Sequence, residues 1–483
     1  MEKTLKANML LNAIQGFLSI VFPVITYPYI LHILQVENVG KYQFAHSVVS
    51  YFMLLAQLGI GTYAIRNGAR LRSKQYDISK FCAQILTLNT LTTFAAILLL
   101  VIVTFTFAEL HKYRTLLFIF SLQIVCQTVG REYVCSVYED YGYLTIKSII
   151  THIISLLLLF LFVKSENDLI PYAWVSTIAS GGANLWNIFY VRERVGFRFA
   201  PIKESIAHFK PVLVFFATNL AVTIYAVSDT TMIGLMKGDY EVGIYSVAAK
   251  IYALAKTILA SVVTVSIPRL SMLQGTEIRS REAGFLTTAE TVFNTMIFWG
   301  MPFICGLVMF SEDIIACFGG ISYAGAVVSL RVLCIALYFC IVGYFWSNSI
   351  LYIFSEERFV LLGTSISAVI NIALNLLLIP KYGIIAAAAT TAISEFITAM
   401  LFWVKGRKRF RPRAYGKNML KVGLGILIMY LIFMMFPDYG GMSFFALLIK
   451  ALSVFVGYIV IQIITKNEQI ISVISFLRRK ANK

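Results

Sequence analysis

The side chains in this sequence that could do chemistry are a few ionisable and amide groups set in long apolar runs: Arg131, Glu132, Asp229, Lys250, Lys256, Arg331, Asn371, Asn375 and Glu395. In hydrocarbon an ionisable group costs at least about 2.5–3.5 kcal/mol at a helix centre, so each must face a partner or a wet cavity. The set holds more cations than carboxylates, which suits an anionic ligand better than a cationic one. Two further arginines are marked by repetition. Residues 39–66, VGKYQFAHSVVSYFMLLAQLGIGTYAIR, and residues 242–269, VGIYSVAAKIYALAKTILASVVTVSIPR, open alike and close on Arg66 and Arg269 at the same spacing. Val39, Gly40, Tyr42 and Ala45 recur as Val242, Gly243, Tyr245 and Ala248, so the two segments read as copies of one unit.

Membrane-spanning helices must position these groups. Of 483 residues, 59% are hydrophobic and only 13% charged, against about 25% charged in soluble domains. Apolar segments of roughly 20 residues, long enough to cross a hydrocarbon core of about 30 Å, recur along the chain. Polar breaks delimit fourteen of them, at 8–34, 40–65, 79–107, 114–138, 141–163, 169–190, 211–237, 242–268, 286–311, 324–354, 359–379, 384–404, 418–436 and 442–465. The first is too long for a signal-peptide core and is expected to stay attached. Loops on one side carry Arg66 to Lys80, Arg192 to Lys210, Arg269 to Arg281 and the run KGRKRFRPR from Lys405 to Arg413, while the opposite loops hold few cations. The positive-inside rule then puts both termini in the cytoplasm and accounts for most of the net charge of +17 without nucleic acid. The seven cysteines are scattered and show neither metal spacing nor a disulfide framework; no metal or cofactor is expected.

The fold class expected is an all-α polytopic membrane protein with about 14 transmembrane helices. A six-helix bundle covers 1–203 and a pseudo-symmetric second one 204–404, with an axis along the membrane normal; 405–483 adds a basic linker, two helices and a cytoplasmic tail. At 1.5 Å per residue Asp229 and Lys250 fall at equal depth, so they are expected to pair, either for coupling and gating or only to register two helices. Lys256 lies deeper with no evident partner, which points to a wet cavity. Arg131, Glu132 and Arg331 read as cavity-lining groups or as salt bridges. Asn371 and Asn375 are four apart on one helix face and suit interhelical hydrogen bonds. Glu395 is a proton or cation site, or a protonated packing group. Pro23 and Pro28 bend the first span, as a gate or as a static kink.

The stretch NIALNLLLIPKYGIIAAAATTAISE, Asn371 to Glu395, resembles the Asn-x-x-x-Asn, Leu-Ile-Pro-x-x-Gly, Ala-rich, Ser-Glu signature of the polysaccharide flippases, in the multidrug/oligosaccharidyl-lipid/polysaccharide exporter superfamily. DTTMIGLMKGDYEVGIYSVAAKIYAL resembles the same family's Asp-x-x-Met-Ile-Gly, Val-Gly-x-Tyr and Ala-x-Lys run, and YPYILHIL with VGKYQFAHSVVSYF its amino-terminal helix pair. The resemblance spans about the first 410 residues. Two departures are Leu34-Gln35-Val36, where the family commonly has Leu-Gly-Pro, and GREYVCSVYEDY in place of an aromatic-rich Phe-Gln-Gly stretch, so sugar specificity does not carry over.

The resemblance implies a transporter, not an enzyme, in the bacterial cytoplasmic membrane. Its cargo would be a polyprenyl-diphosphate-linked oligosaccharide, exported to the outer leaflet by alternating access of two six-helix bundles for capsule, O-antigen or similar synthesis. Polysaccharide polymerase and glycosyltransferases are the implied partners. Arg66, Arg269, Lys256, Arg131 and Arg331 are then the candidate diphosphate-binding cations, and Asp229, Lys250, Glu132 and Glu395 the coupling or gating groups. A guanidinium can grip two phosphate oxygens at once, although Arg66 and Arg269 could equally be snorkelling anchors. A cation-coupled multidrug antiporter and a peptidoglycan-precursor flippase are the alternatives. A membrane glycan polymerase or ligase would need a sizeable outer loop, which the sequence lacks.

Overall fold

The computed structural model describes residues 5–274, 279–412, 415–436, 444–471 and 475. Among them every regular element is a helix, as expected where a backbone has no water to bond. Nine described helices are long and apolar enough to cross a membrane, or up to ten if one bent pair counts as a span. The chain is a multi-pass membrane protein that divides into two compact units, Met1–Ser246 and Val247–Lys483.

The first unit holds α1 (Leu5–Gln57), α2 (Ile60–Leu71), α3 (Gln75–Thr106), α4 (Arg114–Gly130), α5 (Tyr133–Val137) and α6 (Tyr141–Phe162). It continues with α7 (Leu169–Thr177), joined through a π turn to α8 (Ala183–Arg194), then α9 (Ile202–Ile206), α10 (Phe209–Lys237) and the start of α11 (Asp239–Thr264). A cluster around Ile60, Ala64, Ile78, Ile85, Val134 and Val191 forms the core where α2, α3, α5 and α8 meet.

Three details differ from the sequence expectation. The expected polar loop after residue 34 lies inside α1, interrupted only at Gln35 (φ 62°, ψ 171°). The expected fourth span is broken: α4 stops at Gly130, whose face is filled by the backbone of Asn184, and Arg131 turns left-handed at φ 43°. Arg66 and Arg269 do not end spans either. Leu58 and Gly59 take positive φ (43° and 79°), and a methyl on Gly59 would lie 2.8 Å from the backbone of Phe215, so α1 stops there and Arg66 stands within α2. Arg269 stands on α12 (Ile267–Gln274), after the turn at residues 265–266.

The second unit carries the rest of α11, then α12, α13 (Arg279–Met309), α14 (Ser311–Gly319), α15 (Ala326–Phe345), α16 (Glu357–Gly406), α17 (Tyr415–Met435) and α18 (Phe444–Ile464). α16 folds back on itself at Gly383 (φ 60°, ψ −139°). Thr390 bonds Asn375, Thr398 bonds Ser367 at 2.7 Å, and Gly363 admits the ring of Phe402, each pair lying nearly equidistant from Gly383 as in an antiparallel hairpin. Proline explains how the last helix docks. Pro302 inside α13 has no N–H to offer the Phe298 carbonyl four residues earlier. The buried Tyr458 hydroxyl of α18 donates to that carbonyl at 2.7 Å, in a cluster with Phe310, Val422, Met429 and Val454.

Candidate functional site

The identities shared by the two repeated segments are packing positions. Val39, Ala45, Val242 and Ala248 are all at most 1% exposed. A methyl on Gly40 would overlap the carbonyl oxygen of Asp239, and a methyl on Gly243 would overlap that of Val36. Val36 and Asp239 are equivalent positions, each four residues before its glycine, so the contact is reciprocal in the manner of a two-fold axis. The preceding residue repeats as well: Gln35 (φ 62°, ψ 171°) and Gly238 (φ 93°, ψ −176°) share one left-handed, extended backbone.

Polar bonds hold this crossing. Tyr27 and Ser246 share a hydrogen bond of 3.0 Å. The buried Asp239 carboxylate accepts from the Lys112 ammonium at 2.8 Å and from the Tyr113 hydroxyl. Burial, and then the Asp239 charge, push the Tyr113 phenol above its ordinary pKa, so it remains a donor. A cavity of about 450 Å³ lies beside this clasp, lined by Phe44, Glu109, His111, Lys112 and Gly234 among others.

The charges form separate local pairs. In the first unit Arg131 is 1% exposed, donates to the Gly196 carbonyl at 3.1 Å and lies over the Phe197 ring at 4.1 Å. Its place is therefore a packed interior. Glu132 pairs with Lys147 at 2.7 Å, and Lys147 also reaches Asn187 at 3.3 Å. Asp229 is buried and accepts from Tyr245 at 2.8 Å. Arg66 is exposed on its short helix.

In the second unit the carboxylate of Glu395 is buried, and one of its oxygens accepts from Tyr252 at 3.0 Å and faces Lys256 at 3.6 Å. Lys256 thus has a partner where the sequence offered none, because the fold returns α16 beside α11. Lys250 is half-buried, and Arg269 is exposed. Arg331 bonds Ser311 and Glu312, both at 2.8 Å, as a partly exposed ion pair. Asn375 donates to Asn371 at 3.2 Å and accepts from Thr390 across the hairpin, with both amides fully buried.

Sequence reasoning passed over Lys147, Lys450 and the bonding role of Asp239. Lys147 and Lys450 are buried cations in apolar runs; Lys450 lies 3.9 Å from the centre of the Phe433 ring. The feature that singled out Lys250 and Lys256, a lone lysine in an apolar run, would have found both.

The sequence profile of the polysaccharide biosynthesis protein family matches residues 5–274. The chain belongs to this family. A putative O-antigen transporter of Shigella dysenteriae is 24% identical over 305 residues, covering 62% of this chain and 76% of the relative. The capsular polysaccharide biosynthesis protein CapF of Staphylococcus aureus is 22% identical over 379 residues, covering 76% and 90%. Among solved structures, the lipid II flippase MurJ in an inward closed conformation superposes with a TM-score of 0.77 at 19% identity, over 96% of this chain and all of that one. An inward-facing multidrug MATE transporter of the MOP superfamily gives 0.57 at 13% identity, over 83% and 94%. At these identities the structures share the fold alone. The polysaccharide biosynthesis profile takes in both repeated segments with Arg66, Arg131, Glu132, Asp229, Lys250, Lys256 and Arg269, whereas Arg331, Asn371, Asn375 and Glu395 lie beyond it.

Proposed function

We propose that this chain is a flippase that moves a polyprenyl-diphosphate-linked oligosaccharide from the inner to the outer leaflet of a bacterial cytoplasmic membrane, supplying capsule, O-antigen or similar polysaccharide synthesis. Relatives named for O-antigen transport and capsular polysaccharide synthesis support the cargo class. The glycosyltransferases that build the unit and the polymerase that consumes it are its functional partners. The observation that carries the mechanism is the reciprocal crossing of Gly40 and Gly243. Alternating access needs matched halves that seal and part. Glycines at the crossing let the two backbones close tightly, and the Lys112–Asp239 and Tyr27–Ser246 bonds beside it are the contacts that must break when the halves part.

In this reading the chain crosses the membrane fourteen times. α1 and α16 each make two passes, divided at Gln35 and Gly383, while α4 with α5 and α7 with α8 make one each. Residues 1–203 and 204–404 form the two six-pass bundles, 405–483 adds the linker and last two helices, and the basic loops and both termini face the cytoplasm.

Arg66 and Arg269 meet the diphosphate at the cytoplasmic mouth, each exposed on a short helix beyond a break. A diphosphate with roughly two negative charges gains about 4–5 kcal/mol in moving outward across 100 mV, negative inside. The test is transport of a lipid-linked diphosphate into proteoliposomes with the potential clamped. Arg66→Lys and Arg269→Lys, which keep the charge and lose the two-pronged grip, are expected to lower flux about tenfold or more. Flux and affinity equal to wild type would leave both arginines as anchors, and efflux of cationic drugs in place of the lipid would move the chain to the antiporter class. Asp229 and Lys250 are the proposed coupling pair. Reversing both charges is expected to restore flux lost on reversing either; a double variant no better than the worse single would separate them.

A further inference from the structure

The basic run that begins at Lys405 is more than a topology signal, because its path is set by packing. Gly406 lies flat on Trp346, where a methyl would come 2.5 Å from the ring, and the N–H groups of Arg409 and Phe410 both donate to the Gly406 carbonyl, at 2.8 and 3.1 Å. Phe410 is 2% exposed and seats between the rings of Phe345 and Trp346. Beside it the chain after α15 passes through a π turn, Trp346–Leu351, and a tight turn in which Ser355 has φ 58°. The α16 hairpin brings its two ends together there, with Lys405 3.1 Å from Glu356.

Lys405, Lys408 and Arg409 are thereby fixed around a cavity of about 240 Å³ that also has Leu351, Phe354 and Glu356 in its wall. Only Lys405 is neutralised. Among the described residues no carboxylate lies within ion-pair distance of Lys408 or Arg409, and the Arg409 guanidinium is held over the Phe354 ring at 5.1 Å. The site therefore presents two uncompensated, positioned cations at the end of a spanning helix. A second feature adjoins it: an apolar groove of about 480 Å³ along α15 and the second limb of α16, lined by Tyr338, Phe339, Phe396, Met400, Trp403 and Pro412. Trp346, on which Gly406 rests, also lines that groove.

We infer that the cavity at Lys405, Lys408 and Arg409 binds the phosphate of an anionic phospholipid, with an acyl chain of the same lipid in the adjoining groove. Phosphate is the group that two neighbouring cations recognise best at a membrane surface, and a fixed basic pocket beside an apolar slot selects an anionic amphiphile over a free anion. This inference is independent of what the protein transports.

The experiment uses the full chain in detergent, with binding followed by native mass spectrometry and the thermal midpoint by intrinsic fluorescence. The probes are phosphatidylglycerol, phosphatidylcholine, a polyprenyl diphosphate and inorganic phosphate. Wild type is expected to bind phosphatidylglycerol at least fivefold more tightly than phosphatidylcholine and to melt higher in its presence. K408Q/R409Q should lose that preference while its midpoint without lipid stays put. R70Q/R198Q removes the same charge from exposed positions that line neither the cavity nor the groove and should keep the preference. The proposal is overturned if wild type binds the two phospholipids equally, if K408Q/R409Q retains the preference, or if R70Q/R198Q loses as much of it. It is also overturned if inorganic phosphate raises the midpoint as far as phosphatidylglycerol does, or if only the polyprenyl diphosphate binds. Should K408Q/R409Q fail to fold, Phe396→Ala in the groove serves instead, with weaker binding of long-chain than of short-chain phosphatidylglycerol as the expected outcome and unchanged binding of both as the contrary one.

Discussion

The two repeated segments, residues 35–66 and 238–269, share their packing and differ in their chemistry. Both begin with a left-handed residue, cross the other's backbone at a glycine, bury the same valine and alanine, and carry an exposed arginine beyond a helix break. Yet where the second has Lys250 and Lys256 the first has Ser47 and Met53. Tyr42 shares a hydrogen bond of 2.5 Å with Ser176, while its equivalent Tyr245 donates to the Asp229 carboxylate. The comparison teaches that the packing is held in duplicate, whereas Lys250 and Lys256 have no counterpart in the first copy.

The sharpest way to break the comparison is at the crossing. Gly40→Leu and Gly243→Leu each force a branched side chain into a neighbouring carbonyl, a clash that overpacking data put at about 1–3 kcal/mol and more where backbone must move. Both are expected to abolish transport and lower the thermal midpoint alike, while Gly61→Leu, with open space around it, does neither. Unequal effects of the two crossing variants would deny the reciprocity.

The turn before the crossing offers a gentler contrast. Gly238 takes its backbone conformation freely and has no atom near its missing Cβ, whereas Gln35 holds nearly the same one under strain. Such strain is worth about 1–3 kcal/mol, so Gly238→Gln should destabilise by that order and Gln35→Gly should stabilise, read by thermal or denaturant unfolding in detergent. If both changes destabilise, the two turns are not equivalent.

The smallest effect on stability is expected at the charges, where the comparison concerns function. Lys256→Met gives the second copy the first copy's residue and leaves the buried Glu395 with Tyr252 and the Cys340 thiol. The contact is long at 3.6 Å and Lys256 is 39% exposed, so loss of the pair should cost only on the order of 1 kcal/mol. Adding Glu395→Gln should recover that stability without recovering transport. Full transport by Lys256→Met would make the asymmetry functionally silent.

Much of this was legible along the chain. The long apolar helices, the repeated Val-Gly-x-Tyr and the Asn371–Asn375 face follow from composition and spacing, since hydrocarbon demands apolar length and internally bonded backbone wherever a chain crosses it. The departure at Leu34-Gln35-Val36 also marked a real site: the family's common glycine falls at the residue that takes the glycine-like conformation. Less visible were the places where a helix breaks for a reason in a distant segment. Leu58 and Gly59 yield to the backbone of Phe215, and Gly130 to that of Asn184, neither of which lies nearby in sequence.

By itself, then, the sequence determined that this protein lives in a membrane, that it is built of helices and that one segment was used twice, because these properties depend on local composition and on identities at fixed spacing. Tertiary structure alone decided which groups meet. It set Lys256 against Glu395, laid Arg131 on Phe197 in a packed interior, gave the Phe298 carbonyl a tyrosine from α18, and placed Leu351, Phe354 and Glu356 across a cavity from Lys405, Lys408 and Arg409. Each of these contacts joins segments that spacing cannot relate, and a charge or a bare carbonyl in a low-dielectric interior takes its meaning from the one atom placed opposite it.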